Sequence, residues 1–170
     1  SALLTNLVLD SVSSPVQIGT SSWTQISAGD YHTLALRYLD GGLFTWGLNN
    51  NGQLGSTTTI NRSSPVQVGT TSWSQIAAGS FTGASITTLG GLFTWGLNNN
   101  GQLGSAVTTS RSNPVQLGTS SWSMVSSGSS NQMAIRIDGS LWYSGVNTYL
   151  GLSSVNSPVQ IGTSSWTQVM

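Results

Sequence analysis

The stretch Leu-Phe-Thr-Trp-Gly-Leu-Asn-Asn-Asn-Gly-Gln-Leu-Gly-Ser at residues 43–56 recurs without a change at residues 92–105, a distance of 49 residues. A fourteen-residue identity at a fixed distance indicates internal duplication, and a period of this kind decides the architecture before any single residue does. A third, degenerate copy begins at Leu141 but lacks the Asn-Asn-Asn-Gly-Gln turn. The chain is therefore a tandem array with a period of about fifty residues.

A second phrase, Ser-Pro-Val-Gln-Ile-Gly-Thr-Ser-Ser-Trp at residues 14–23, marks the same repeat four times. Its tryptophan returns at Trp73, Trp122 and Trp166, at separations of 50, 49 and 44 residues. The last interval is short because the loop after Gly145 is trimmed. Residues 1–27 also align without gaps on residues 144–170, with 18 of 27 positions identical. Because both ends lie in the same phase, we expect a window onto a longer array or a protomer completed by another chain.

Short segments rich in aromatic and β-branched residues, bounded by glycine or proline, predict strands rather than helices. In the first repeat the predicted strands are residues 23–28, 32–38 and 43–48, with residues 16–19 supplying a fourth. The four prolines (Pro15, Pro65, Pro114 and Pro158) are expected to open a segment, where a missing N–H interrupts no central ladder.

The clearest predicted hairpin joins residues 134–137 to residues 140–143. The dipeptide between them is Asp138-Gly139, which tolerates the positive φ angles of a type I′ turn. Each repeat is therefore expected to be a four-stranded antiparallel meander.

Four-stranded units repeated at about fifty residues predict an all-β fold, a β-propeller of which about three and a fraction blades are present. The array is predicted to span residues 1–170 as a partial propeller or a fragment of a larger one, with the seven tryptophans in the blade cores. Its predicted parts are the end of a preceding blade at 1–13, repeats at 14–63, 64–112 and 113–156, and the start of a fourth repeat at 157–170.

Charge is nearly absent from the sequence. Four Arg and four Asp give a formal net charge of zero, and charged residues make up 5% of the chain. Nucleic-acid binding requires a basic face, which four scattered Arg do not supply, so we expect no nucleic-acid partner. Apolar runs are far shorter than the roughly 20 residues of a membrane span, so none is expected.

Catalytic or metal-binding chemistry requires titratable side chains that converge, and the sequence offers few. His32 is the only histidine, and its counterparts in the other repeats are Thr82 and Asn131, so no histidine set exists to hold a metal. There is no cysteine, and the Asp residues of the strand-connecting turns suit backbone capping. We therefore predict no catalytic, metal or cofactor site and no enzymatic activity.

The repeated phrases resemble those of the regulator of chromosome condensation repeat family. The resemblance rests on residues 43–55, on Ser-Ala-Gly-Asp-Tyr-His-Thr-Leu-Ala-Leu at residues 27–36, and on Asp-Gly-Ser-Leu-Trp at residues 138–142. It implies a propeller of usually seven blades that binds proteins through loops on one face. Near absence of charge, absence of Lys and Glu, and near-identity of the blades depart from the members that act as GTPase exchange factors.

The residues that follow each blade glycine differ between repeats and are the predicted partner-binding loops: Asp30 and Tyr31, Ser80 and Phe81, Ser129 and Ser130. Arg62 and Arg111 stand three residues before a blade proline. They are interpreted either as inter-blade hydrogen-bonding residues or as part of a partner contact, and both alternatives stay open at this point.

Two functional hypotheses follow. The first is a non-enzymatic structural or adhesive module of a larger surface assembly, such as a bacterial surface protein or a virion fibre or decoration protein. Its partners would be neighbouring subunits or a host-surface protein, and its location extracellular or on a virion or cell surface. The alternative is a soluble, cytoplasmic protein-binding propeller, an inhibitor or an exchange-factor-like protein, that uses one face for recognition.

Overall fold

The computed structural model of the protein describes residues 17–147 and 152–169. Strands are the regular structure of these residues. The eleven strands are β1 (Trp23–Ala28), β2 (His32–Arg37), β3 (Gly42–Gly47), β4 (Arg62–Ala78), β5 (Thr82–Thr87), β6 (Leu92–Gly96), β7 (Arg111–Gln116), β8 (Trp122–Ser127), β9 (Asn131–Arg136), β10 (Leu141–Asn147) and β11 (Leu152–Ile161).

The strands form three consecutive blades, each an antiparallel sheet of four strands. The first blade contains β1, β2, β3 and the first half of β4, and the second contains the second half of β4 with β5, β6 and β7. The third runs from β8 to β11. Residues beyond β11 lie against the third blade, where the Trp166 N–H donates to the Gly139 carbonyl at 2.9 Å. The all-β, partial-propeller prediction is confirmed; the repeat boundaries stay a prediction, and residues 1–13 lie outside the described residues.

The fourth strand of each blade differs from the prediction. Residues 17–19 form no strand, and Val16 and Pro15 lie outside the described residues. Elsewhere this strand begins well before its proline, and Pro65 falls at an irregularity between the Gly47–Arg62 and Thr45–Val66 pairs. Pro114 and Pro158 occupy the same kind of position. The expectation that these prolines open a segment is wrong, because the outermost strand has a free edge and tolerates a missing N–H at a bulge.

The predicted hairpin at Asp138 is present, but its turn is not type I′. The connection has three residues, since the Arg136 N–H donates to the Ser140 carbonyl at 3.0 Å and the Gly139 N–H donates to the Arg136 carbonyl at 2.9 Å. Gly139 has a φ of +84°, whereas Asp138 is not among the residues with positive φ. This geometry is that of a type I turn followed by a left-handed glycine. The Asp138 carboxylate fixes it by accepting the Ser140 N–H at 2.9 Å.

Tryptophans fill much of the space within and between blades. Trp73, Trp95 and Trp122 are buried, as predicted, whereas Trp166 is 43% exposed. The other three (Trp23, Trp46 and Trp142) are half-buried. The Trp95 indole N–H of the second blade donates to the Gln53 carbonyl of the first blade at 2.9 Å. In the third blade, Ser144 replaces this tryptophan, and its hydroxyl donates to the Gln102 carbonyl at 3.0 Å. The loop of each blade is therefore anchored on the next.

Inner strands of neighbouring blades are bridged by a glutamine side chain. The Gln25 amide donates to the Ser74 carbonyl at 3.4 Å, and its oxygen accepts the Ile76 N–H at 3.2 Å. Gln75 repeats the contact one blade later, donating to the Ser123 carbonyl at 2.6 Å. The third blade has Met124 at this position, and its sulfur accepts the Val169 N–H at 3.2 Å. A thioether has no donor, so this junction lacks one hydrogen bond.

Exchanging these side chains is expected to change stability in opposite directions. Met124→Gln should raise the free energy of unfolding by up to about 1 kcal/mol, because it adds an amide donor toward the segment after β11 that Met124 contacts at Val169. Gln75→Met should lower it by about 1 kcal/mol by removing the bond to Ser123. Urea denaturation measures both. Gln160→Met is the control, since the Gln160 amide bonds within its own turn to Gly162; equal effects of the two Gln→Met variants would contradict this account.

Candidate partner-binding face

The predicted partner-binding loops connect the first and second strands of each blade, and one backbone frame holds all three. The Leu48 N–H donates to the Tyr31 carbonyl at 2.8 Å. The same bond joins Leu97 to Phe81 and Val146 to Ser130, each at 2.9 Å. The loops therefore share one backbone position, and what differs between blades is the side chain at the tip.

Glycine is required where each third strand meets its loop. Gly47, Gly96 and Gly145 have φ angles of +107°, +101° and +93°. A β-carbon at any of them would overlap the carbonyl oxygen of Tyr31, Phe81 or Ser130 respectively. Only glycine combines this conformation with so close an approach. The sequence signal for the frame is thus the Trp-Gly that ends β3 and β6 and the Ser-Gly within β10.

A second set of glycines brings the three loops side by side. A β-carbon on Gly29 would overlap the Gly79 carbonyl oxygen of the next blade, and one on Gly79 would overlap that of Gly128. Each of these glycines also closes its loop, as when the Gly29 N–H donates to the His32 carbonyl at 2.9 Å. The loop tips therefore form an arc around one end of the propeller axis.

Exposure differs along this arc. Tyr31 is 69% exposed and Asp30 is exposed beside it. Ser80, Phe81 and Ser130 are half-buried, and Ser129 is exposed. The arc therefore presents an aromatic ring from the first blade, part of a second ring from the next, and hydroxyls from the third.

Arg62 and Arg111 begin the outer strands β4 and β7, yet their surroundings differ. Arg62 lines a groove of about 820 Å³ together with Tyr31, Trp46 and Leu48, so the structure brings two predicted site residues together. Arg111 lies under the loop of the first blade, where the Thr57 N–H donates to the Ser112 carbonyl at 2.7 Å. Arg111 therefore belongs to a junction between blades, whereas Arg62 lies in the first described blade, and residues 1–16 before it lie outside the described residues.

Buried amides behind this face were missed by the sequence reasoning, which treated the Asn-rich segment as a plain turn. Asn49 and Asn98 have no exposed surface. The Asn49 amide donates to the Thr58 and Ile60 carbonyls at 2.9 and 3.1 Å, and its oxygen accepts the Leu54 N–H at 2.9 Å. Asn98 makes the same set of bonds. The exact repetition of the segment was the available signal that its first Asn is structural.

His32 lies directly behind Tyr31 and is 3% exposed. Its Nε2–H donates to the Thr82 carbonyl of the next blade at 3.2 Å, while Nδ1 has no hydrogen-bond partner. Burial lowers the pKa of His32 below its ordinary value of 6.5, and the Thr82 carbonyl and the charge of Asp30 oppose this effect. Neutral His32 thus links two blades through the Thr82 carbonyl.

Among the described residues, no group of three or more His, Cys, Asp or Glu side chains converges to hold a metal ion. The search of those residues also found no helix with the length and apolar character needed to cross a membrane.

Blades of four antiparallel strands, with loops anchored on the next blade and variable tips on one face, define a partial β-propeller. The chain matches the regulator of chromosome condensation (RCC1) repeat at residues 40–86 and 90–135, more than half of its length. A second description of the same repeat matches residues 23–53 and 73–102. The chain therefore belongs to the RCC1 repeat family, as its phrases predicted.

Solved structures of the same fold include human WBSCR16, at a TM-score of 0.77 and 22% identity over 86% of this chain and 39% of that one. Yeast RCC1 (Prp20) bound to Kap60 has a TM-score of 0.72 and 21% identity, over 88% of this chain and 39% of that one. Prp20p from Saccharomyces cerevisiae, described with its binding to Gsp1p and histones, has a TM-score of 0.73 and 21% identity, over 83% of this chain and 38% of that one. The chain thus spans about two fifths of each relative, and at these identities the likeness concerns the fold.

Acidification is expected to destabilise the fold through His32. The folded-state pKa lies below the unfolded value, so the unfolded chain takes up a proton first as the pH falls through about 6.5. The free energy of unfolding should therefore decrease from about pH 7.5 to about pH 5, a window above the titration of ordinary carboxyls. Urea denaturation at both pH values measures the change. His32→Asn, which copies Asn131, should flatten it; an unchanged pH dependence in that variant would exclude His32 as its source.

Proposed function

We propose that the chain is a non-enzymatic protein-binding module that acts through the arc of loop tips, as a structural or adhesive part of a larger surface assembly. The observation that carries the proposal is a constant backbone frame that presents different side chains. Tyr31, Phe81 and Ser130 accept the same backbone hydrogen bond at 2.8 to 2.9 Å, yet they offer two different aromatic rings and a hydroxyl. With such a frame, the side chain at each tip can differ between blades without destabilising the fold.

The chemistry of the arc fits a protein partner. Exposed aromatic rings on rigid backbone are the side chains that dominate binding energy in protein interfaces. Tyr31 is 69% exposed on the arc, and Phe81 of the next blade is partly exposed. Aromatic and arginine side chains are the types enriched at interface centres.

The surface location rests on composition. A neutral chain with 5% charged residues has a surface dominated by hydroxyl and amide groups, which associates more readily than a charged one. Near-identical blades with short, ordered loops suit a stiff spacer or fibre segment. We therefore propose a virion or cell surface and a neighbouring subunit or host-surface protein as the partner.

The alternative is a soluble propeller that binds one intracellular protein, in the way that the yeast relative is described with Gsp1p and histones. The two readings differ in where the native protein is found. Fractionation of its source into particles, envelopes and soluble protein separates them, and recovery of the protein in the soluble fraction alone would exclude the surface assembly.

Truncating the two ring-bearing tips is expected to abolish most of the binding. The double variant Tyr31→Ser and Phe81→Ser gives both loops the hydroxyl of Ser130, so the backbone frame stays as it is in the third blade. Binding of the labelled chain to surface fractions of its source should fall at least about tenfold, the loss typical of central aromatic residues. Co-sedimentation or biolayer interferometry measures the affinity.

The matched control is Tyr38→Ser, which removes an equally exposed tyrosine at the opposite end of the first blade. Tyr38 is 74% exposed and lies in the turn after β2, away from the arc. This variant should bind as the unchanged chain does. Equal binding by all three proteins would exclude the arc as the contact surface.

A further inference from the structure

The ends of the second strands differ between blades in a way that leaves one aromatic ring without a cation. Arg37 ends β2 and Arg136 ends β9, and each guanidinium stacks on a ring of the third strand. Arg37 lies 4.7 Å from the centre of the Phe44 ring, and Arg136 lies 3.7 Å from that of Trp142. The second blade ends its strand β5 with Thr87 instead.

The second blade nevertheless keeps the rest of the cation site. Phe93 occupies the position of Phe44 and packs edge-on against Trp73 at 5.2 Å and 87°, as Phe44 packs against Trp23 at 5.4 Å and 78°. Gln116 occupies the position of Gln67, whose amide oxygen accepts a hydrogen bond from Arg37 at 3.5 Å. The ring and the amide acceptor are present, and the guanidinium is missing.

A groove of about 480 Å³ lies where the guanidinium would be. Thr87, Phe93 and Gln116 line it, together with hydroxyls that include Ser72 and Ser121. The Thr87 hydroxyl accepts the Gly91 N–H at 3.0 Å, so it caps the turn. The groove thus offers an aromatic ring, an amide and hydroxyl oxygens, with no cation in its lining.

We propose that this groove binds the guanidinium of an arginine side chain from a partner protein, in the place that the chain's own arginines fill in the neighbouring blades. A planar guanidinium stacks on an aromatic ring and donates in its own plane, which a lysine ammonium does not do. The turn of the second blade is one residue shorter than that of the first and lacks the counterpart of Asp40, which binds Arg37 at 2.6 and 2.9 Å. The ring and the neutral acceptors therefore carry the recognition.

This site is separate from the arc of loop tips. The groove is built from the turn after β5 and the segment before β8, whereas the arc is built from the loops before β2, β5 and β9. The two lie at opposite ends of the antiparallel strands. The proposal of an arginine site can therefore be tested independently of the proposed function.

The test is a titration of the 15N-labelled chain with N-acetyl-arginine amide, followed by NMR. Amide signals of residues 87–91 should shift and saturate with a dissociation constant on the order of millimolar, as expected for a single side chain. The uncharged citrulline analogue should bind about three- to fivefold more weakly, the ratio that a cation–π contact on an exposed ring produces. The lysine analogue should also bind more weakly, because its ammonium neither stacks on the ring as a plane nor donates in one plane.

Two variants make the result specific. Thr87→Arg supplies the guanidinium from within, so it should abolish the shifts and raise the melting temperature by about 2 °C. Thr87→Ser keeps the capping hydroxyl and should bind as before. Arg37→Thr should open the matching groove over Phe44 and produce a second set of shifts at residues 37–41.

Three outcomes would overturn the proposal: citrulline binding as tightly as arginine, shifts that persist in Thr87→Arg, or no shifts at the groove at all. The loop-tip variants should give the same arginine titration as the unchanged chain, even if they lose partner binding. Failure of one proposal is therefore distinguishable from failure of the other.

Discussion

The close approach of neighbouring inner strands is the constraint on which the rest of the structure depends. The backbones of adjacent blades come so near that a side chain on Gly29 or Gly79 would overlap the next carbonyl oxygen. At this spacing the Gln25 amide reaches both Ser74 and Ile76, and His32 reaches Thr82. Loop anchoring, the burial of Trp95 and the arc of tips all follow from blades held at this distance.

Most of the fold was predictable because each feature occurs in two or three copies. Repeated tryptophans and glycines predicted the inner strands and the blade order. The outer strand was misjudged because its partner is the third strand of the preceding repeat, a pairing that proline spacing does not reveal. The Asp138-Gly139 turn was misjudged because this dipeptide suits two turn types, and the local Ser140–Asp138 hydrogen bonds that favour one of them were not considered.

The candidate site was predictable to the same degree. Tyr31, Phe81 and Ser130 were identified because the side chain at this position differs between copies of the repeat. The packing of blades against one another does not require such a difference. The placement of Arg111 at a junction between blades was not predictable, because it depends on the loop of the preceding blade that reaches it. Three sets of aligned positions differ between blades in ways that their contacts explain: the loop tips, the ends of the second strands, and the glutamine bridge that becomes Met124.

The strand β4 runs for 17 residues, and its two halves serve different sheets. Its first half closes the first blade against β3, and its second half opens the next blade against β5. Melting of one blade therefore releases a strand that its neighbour needs, which couples their loss of structure. The cooperative unit of this array is larger than one sequence repeat, and a boundary between Ser63 and Ser64 would divide the outer strand of the first blade.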